Sequence, residues 1–402
     1  MRVAVNYGMK QVELEADESR IVRGARPSDR GVSDPAAAVR EALEAPYEYP
    51  PLRRALTPDD HLTIVVDEQL PSLGQLLVPI LEHVTRAGVT AEAITLLVPP
   101  STTGQPWVDD LPDEYQEARV EIHDPNERKR LRYLATTRGG RRLYLNQHVV
   151  DADQLVVLSG RRYDPVLGHG GAEAAIFPTF SDVDTRSALY QTGHLHMPGT
   201  KPWPIMVEAL EAAWLLGAPF FVQVIPASCD GVADVVAGST AASGEGWQRF
   251  ESRWLQRISA AADVVVAGVS GDPSRHTIAD LAAAAACAAG VVRPGGRIVL
   301  LSEVDIEPGP AFEILRGADD LTEIASRLGQ TPAPEQLPVA RWASAASHAR
   351  LSLVSKLDAD LVEEMSATPL ESALQTQRLL DAGGTCLFLD DAHKARAILT
   401  DD

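Results

Sequence analysis

The stretch LNQHVVDADQLVVLSGRRYDPVLGHGGAEAAIFP, residues 145–178, decides how this chain is read. An apolar strand, Leu155 to Leu158, runs into a loop with glycines at 160, 168, 170 and 171, and an apolar helix start then stops at Pro178. A strand without polar alternation is one covered on both faces, as in a parallel sheet. A glycine-rich turn between such a strand and a helix lets backbone N–H groups approach a ligand without side-chain hindrance. Gly168, Gly170 and Gly171 are therefore the candidate ligand-cradling residues.

Outward from this stretch, strand and helix patterns alternate almost throughout. Apolar runs predict strands at 61–67, 93–98, 120–124, 142–147, 154–159, 220–225, 263–269, 297–303, 350–356 and 385–389, and the first eight residues read as another. Helical spacing predicts helices over 72–87, 203–216, 246–261, 274–289, 339–349 and 369–382. Pro369 suits a first helical position, and Gly88 and Gly383 sit where helix C-caps belong. The alternation means an α/β fold. A chain of 402 residues exceeds one ordinary core. The expected architecture is two α/β domains, 1–260 and 261–402, with largely parallel sheets flanked by helices and a cleft between them.

Composition narrows the function classes. With 36 basic and 56 acidic side chains the net charge is −20, which repels phosphate backbones and argues against nucleic acid. Arg128, Lys129, Arg130 and Arg132 read as solvated surface. The three cysteines, Cys229, Cys287 and Cys386, form no Cys-x-x-Cys pair, which argues against a disulfide framework or a thiolate metal site. Each sits beside an apolar run and is expected to be a buried structural thiol. The longest apolar stretch, 281–292, is too short to span a bilayer, and the N-terminus lacks a signal-peptide apolar region. No membrane partner and a cytoplasmic location are expected.

The layout of residues 145–178 resembles the core segment of the lactate racemase family, which binds a nickel-pincer nucleotide. The resemblance spans nearly the whole chain, including Ile122-His123-Asp124-Pro125, Thr137-Arg138-Gly139-Gly140 and Ser270-Gly-Asp-Pro273. It implies a catalytic histidine four residues before the first loop glycine and a cofactor-bearing lysine six residues after it; this chain has Asp164 and Ala174 there. The family's Asp-His-Thr-Arg-Pro turn, whose arginine grips the substrate carboxylate, corresponds to Asp67-Glu-Gln-Leu-Pro71, and Leu70 cannot make a bidentate carboxylate contact. The family's second catalytic histidine belongs in a loop that here reads Pro99 to Gly104. Tyrosine, glutamine and lysine slots on a cofactor-facing helix hold Ala279, Asp280 and Ala283, and a tryptophan slot holds Leu337, with Trp342 nearby. Counting without gaps, Tyr190 stands at the nickel-binding histidine's slot, with His194 and His196 close by. His-x-His can ligate a metal, or be an exposed loop pair.

Every proton-transferring, attachment and carboxylate-gripping position that can be matched is thus substituted. Racemisation needs an acid/base on each face of the reacting carbon and a held cofactor, so that activity and a covalently bound nickel-pincer nucleotide are expected to be absent. A fold persists when its chemistry leaves. The expectation is a family member that binds a small hydroxy-acid-like or polyhydroxyl ligand between its domains, against the 164–173 loop and the N-terminal end of the 274–289 helix. The alternative is a divergent isomerase or lyase on a small hydroxy acid, using Asp67, Asp164, Tyr190 or a nearby histidine. Two further patterns are set aside: Gly268-Val-Ser-Gly271 lacks Gly-x-Ser-x-Gly spacing, and Asp182 and Asp184 read as solvated loop acids.

Overall fold

The computed structural model describes residues 1–24, 31–101, 104–190, 203–217, 219–306, 309–316, 320–330 and 336–400. The first of its two large sheets has six strands in the spatial order Val232–Gly238, Phe220–Pro226, Gln154–Gly160, Leu62–Val66, Ile94–Val98, Arg119–Ile122. Only the edge strand Val232–Gly238 runs antiparallel to its neighbour. The second sheet is parallel throughout, in the order Ala367–Pro369, Arg350–Val354, Val292–Leu301, Ala262–Gly268, Cys386–Leu389.

The apolar runs form central strands because both faces of each sheet are covered. In the wholly buried strand Leu62–Val66, Ile64 and Val66 pack with helices Pro35–Glu44 and Leu73–Thr85. Val65 points the other way, toward helix Pro204–Leu215 and Leu143 and Leu145 of the hairpin Leu131–Thr136/Arg142–Asn146. One face of the second sheet carries helices Ile278–Ala289 and Gln336–His348. The other is covered by Val3, Val5, Val12 and Leu14 of the N-terminal hairpin, whose alternation buries one side of each strand.

All strands of the first sheet precede residue 260, and all of the second follow it. Packing crosses that line. The N-terminal hairpin lies on the second sheet, Phe250 and Trp254 of helix Thr240–Trp254 enter the second sheet's core, and Leu337 joins the core of the first.

Three expectations are corrected. The helix expected over 246–261 is Thr240–Trp254, and the chain then straightens into strand Leu255–Ile258, which pairs in parallel with Arg396–Leu399. Its partner lies some 140 residues away, beyond any local pattern. Pro369 ends the edge strand Ala367–Pro369 instead of opening a helix, and the helix is Gln375–Asp381; a proline is tolerated at a sheet edge. Cys287 and Cys386 are buried, but Cys229 is partly exposed in a tight turn at φ 52°. Among the described residues, no helix is long and apolar enough to cross a membrane.

Candidate functional site

Strands Leu62–Val66 and Gln154–Gly160 lie side by side and end together, with Val66 opposite Leu158. The carboxyl ends of parallel strands are where open α/β sheets bind ligands. Asp67 follows the first strand, 6% exposed, and its carboxylate is fully engaged. Oδ2 accepts from Gly160 N at 3.1 Å and from Arg162 Nη1 at 2.6 Å, and Oδ1 accepts from Gln69 N at 3.1 Å. Leu70, also 6% exposed, packs so closely over Gly160 that a Cβ there would sit 3.1 Å from Leu70 Cδ2.

The glycine-rich segment expected as an open loop is instead a small antiparallel hairpin, Arg162–Asp164 paired with Gly168–Gly170. Asp164 closes its turn: Oδ1 accepts from Val166 N and Leu167 N, both at 2.8 Å. A Cβ on Gly170 would come within 2.6 Å of Arg162 Cγ, and one on Gly171, at φ +80°, within 2.5 Å of the Gly160 carbonyl oxygen. These glycines therefore let the hairpin lie against Arg162 and the strand end. Ala172 N is taken by Ser159 Oγ at 2.8 Å. The segment's backbone groups are largely satisfied by the chain itself, which is the physical reason the loop folds back. His169 stacks on Trp247 of helix Thr240–Trp254 with ring centroids 3.6 Å apart, and Tyr163 meets Trp247 and Phe250 edge-on. Burial, with Arg161 and Arg396 nearby, pushes His169 down to about 4, so the stacked ring is neutral at pH 7.

A buried charge network holds the base of this hairpin. Arg161, 2% exposed, donates through Nε to Gln223 Oε1 at 2.7 Å and through Nη1 to the carbonyls of Gly170 and Gly171, both at 3.3 Å. Its Nη2 donates to Ser243 O and Ser243 Oγ, both at 2.7 Å. Ser243 Oγ in turn donates to Glu173 Oε2 at 2.5 Å, so the hydroxyl relays between a guanidinium and a fully buried carboxylate. Burial lowers Arg161 to about 10, opposed by Glu173, and it stays charged at pH 7.

The second sheet's side contributes two arginines. Arg341, on helix Gln336–His348, is 5% exposed; burial lowers its proton affinity and the Asp164 charge opposes that. Arg275 Nη2 donates to the Gln69 carbonyl across the junction of the two sheets. Asp67, Arg162, Asp164 and Arg341 thus alternate in sign, so the two acids named from the sequence are each answered by a cation. Arg161, Arg162, Ser243 and Arg341 were not singled out from the sequence. The available signals were an arginine doublet ending an apolar strand and one arginine inside an apolar helix.

The remaining candidates are dispersed. Ala174 and Leu337 lie buried in one apolar cluster. Asp280 accepts from Thr277 N and Oγ1, both at 2.8 Å, capping helix Ile278–Ala289, while Ala279 is exposed. Asp182 accepts from Thr185 N at 2.9 Å and Oγ1 at 2.8 Å at the start of helix Val183–Tyr190. Tyr190 ends that helix; its side chain, and all of His194 and His196, lie outside the described residues. His123 is 2% exposed, contacts Ser181 O at 2.9 Å and Asn146 Nδ2 at 3.2 Å, and is pushed by burial to about 4, a structural setting. Among the described residues no three or more His, Cys, Asp or Glu side chains are grouped to hold a metal ion.

Residues 7–197 match the family model of the lactate racemase N-terminal domain. The whole chain superposes on the lactate racemase apoprotein from Thermoanaerobacterium thermosaccharolyticum, at a TM-score of 0.82, 18% identity and 100% coverage of both chains. A crystal structure of a Thermotoga maritima protein matches 94% of this chain and 100% of its own at a TM-score of 0.65 and 10% identity. At such identities these two likenesses concern the fold. No curated protein matches the chain by sequence.

Proposed function

We propose that this member of the lactate racemase family, placed there by its N-terminal domain, does not carry out nickel-pincer racemisation and instead binds a small ligand between its two sheets. The observation that carries the reading is the closure of the strand ends by the chain's own groups. Leu70 is packed over Gly160, and Arg162 is bonded to Asp67 where the resemblance calls for a substrate clamp.

The fit of the family cofactor can be tested on the residues themselves. Covalent attachment needs an amine, and the matched slot, Ala174, is a methyl group 4% exposed in an apolar cluster. No one- or two-residue shift of the match restores it, because the chain has no lysine between Lys129 and Lys201. Likewise it has no lysine or arginine between Arg54 and Arg86, and no histidine between His83 and His123. The buried Glu173 carboxylate beside that slot adds a charge that opposes phosphate. These residues do not fit the cofactor, and no chemical step is assigned to it.

Proposed ligand contacts are the 162–170 hairpin, the Gln69–Leu70 turn and the Pro273–Arg275 turn. Arg162 is the main polar anchor: its side chain is 40% exposed, and one of its nitrogens is committed to Asp67. Because Asp67 and Asp164 are balanced by Arg162 and Arg341, a hydroxy-acid-like or polyhydroxyl molecule suits the site better than a strongly charged one. The experiment has two arms. Protein co-produced with the cofactor-making enzymes is expected to show the intact mass of the bare chain, and L-lactate incubated with it to stay unracemised on chiral chromatography. A cofactor-sized mass increase with stoichiometric nickel, or racemic product, overturns the first half of the reading. A thermal-shift screen of hydroxy acids and polyols should give a hit weakened by Arg162→Gln and Asp164→Ala, and binding that survives both places the ligand elsewhere.

A further inference from the structure

Two histidines stand at the carboxyl ends of neighbouring strands in the second sheet, Ala262–Gly268 and Cys386–Leu389. His276 follows the turn Pro273–Arg275, just ahead of helix Ile278–Ala289, and His393 follows the left-handed Asp391. Their ring centroids are 5.4 Å apart and their planes inclined by 66°. His276 is only 4% exposed, yet neither of its ring nitrogens has a hydrogen-bond partner, and His393 Nδ1 is buried without one too. Buried polar atoms are nearly always satisfied, and a neutral imidazole presents one donor and one acceptor. Three unpartnered nitrogens on two adjacent rings call for a partner that is not a protein atom.

The chemistry of that partner follows from the donors and their surroundings. Burial, with Lys394 beside it, holds His393 well below its ordinary proton affinity, so at pH 7 its nitrogen lone pair is free for a Lewis acid. Bonds of about 2.0–2.1 Å from one ion to a nitrogen of each ring place two imidazole centres roughly 5 Å apart, close to the separation seen. The charged groups facing the pair are Asp280, from the helix, Lys394, from the 391–395 turn, and Asp272, which precedes the Pro273–Arg275 turn and acts on His276. Lys394 does not leave a bare cation there. It donates to Asp391 Oδ1 at 3.2 Å, and the fully buried Asp391 also accepts from Ser228 and Ser270.

We propose that His276 and His393 together bind one divalent ion from the nickel–copper–zinc group, which imidazole nitrogen suits. No third His, Cys, Asp or Glu side chain among the described residues completes the set, so the remaining coordination positions belong to water or to an oxygen of a bound molecule. The proposal uses residues outside the line from Asp67 to Arg341 and holds whether or not that site takes a ligand.

The test is titration of metal-stripped, full-length protein with Zn(II) by calorimetry and with Cu(II) by electron paramagnetic resonance. One ion per chain is expected, with a dissociation constant below about 100 µM and a spectrum showing two imidazole nitrogens on copper. His276→Asn and His393→Asn, each checked for folding by circular dichroism, should weaken binding by at least about tenfold. A His194→Asn/His196→Asn double variant should bind as the parent does. Absence of binding, fewer than two nitrogens on copper, or unchanged affinity in either folded single variant overturns the proposal. If the buried His276 variant does not fold, the His393 variant and the nitrogen count still decide it.

Discussion

Removing one hydroxyl, with Ser243→Ala, should destabilise this protein far more than a serine-to-alanine change usually does. Ser243 Oγ accepts from Arg161 Nη2 at 2.7 Å and donates to Glu173 Oε2 at 2.5 Å. Arg161 keeps its bond to the Ser243 carbonyl at 2.7 Å, so the guanidinium loses only part of its shell. Glu173 fares worse: its Oε1 already has no partner, and the substitution strips Oε2 as well, in a residue with no exposed surface. Two hydrogen bonds to charged groups at about 1.5–3 kcal/mol each, partly recovered by relaxation, give a loss of about 3–5 kcal/mol. Adding Glu173→Gln to Ser243→Ala should recover about 1–2 kcal/mol, because an amide costs less than a carboxylate to bury unpaired. Guanidinium unfolding followed by far-UV circular dichroism reads both as midpoint shifts at constant slope. A Ser243→Ala loss below about 1 kcal/mol, or strictly additive effects of the two substitutions, would refute the relay as the hairpin's anchor.

Three other outcomes follow from the same geometry. Gly171→Ala places a Cβ 2.5 Å from the Gly160 carbonyl oxygen at φ +80°, and should cost about 3 kcal/mol or more, read as a lowered melting temperature. Leu70→Ala should cost about 2–5 kcal/mol by opening a cavity over Gly160, and a loss under 1 kcal/mol would show that the strand ends are not sealed there. His123 titrates near 4 in the fold against an ordinary 6.5, because burial disfavours the imidazolium. The folded state therefore binds the proton more weakly than the unfolded chain. The stability tied to this neutral ring is fully present above about pH 6.5 and is lost as the pH falls from there toward 4, by up to about 3 kcal/mol. Unfolding midpoints at pH 7.5, 5.5 and 4.5 should fall less steeply in His123→Gln than in the parent.

The fold was legible where local pattern and tertiary burial agree. Strands such as Leu62–Val66 and Ala262–Gly268 lie between covered faces, so all their residues but Thr63 and Asp263 are apolar and the run announces itself. Elements whose partners are remote in sequence were not legible in the same way. Leu255–Ile258 looks like the tail of a helix until Arg396–Leu399 pairs with it. The N-terminal hairpin covers the second sheet although it precedes the first, because its apolar alternation fits that face and no linear pattern says so.

At the candidate site, the sequence by itself determined which side chains are missing from the matched positions. The absence of lysine from 130 to 200 and of lysine and arginine from 55 to 85 needs no coordinates, because no fold can supply a side chain the chain lacks. What only the tertiary structure decided is what the remaining residues do. Asp67 and Asp164 are free carboxylates on paper, but Arg162 sits 2.6 Å from the first and two backbone N–H groups hold the second. Glu173 and Ser243 are 70 positions apart, and the serine hydroxyl donates to the carboxylate. Gly168 and Gly170 lie in a paired strand rather than an open loop. The reason is that charge pairing and hydrogen bonding act over a few ångströms of space, and folding makes neighbours of residues that sequence distance keeps apart.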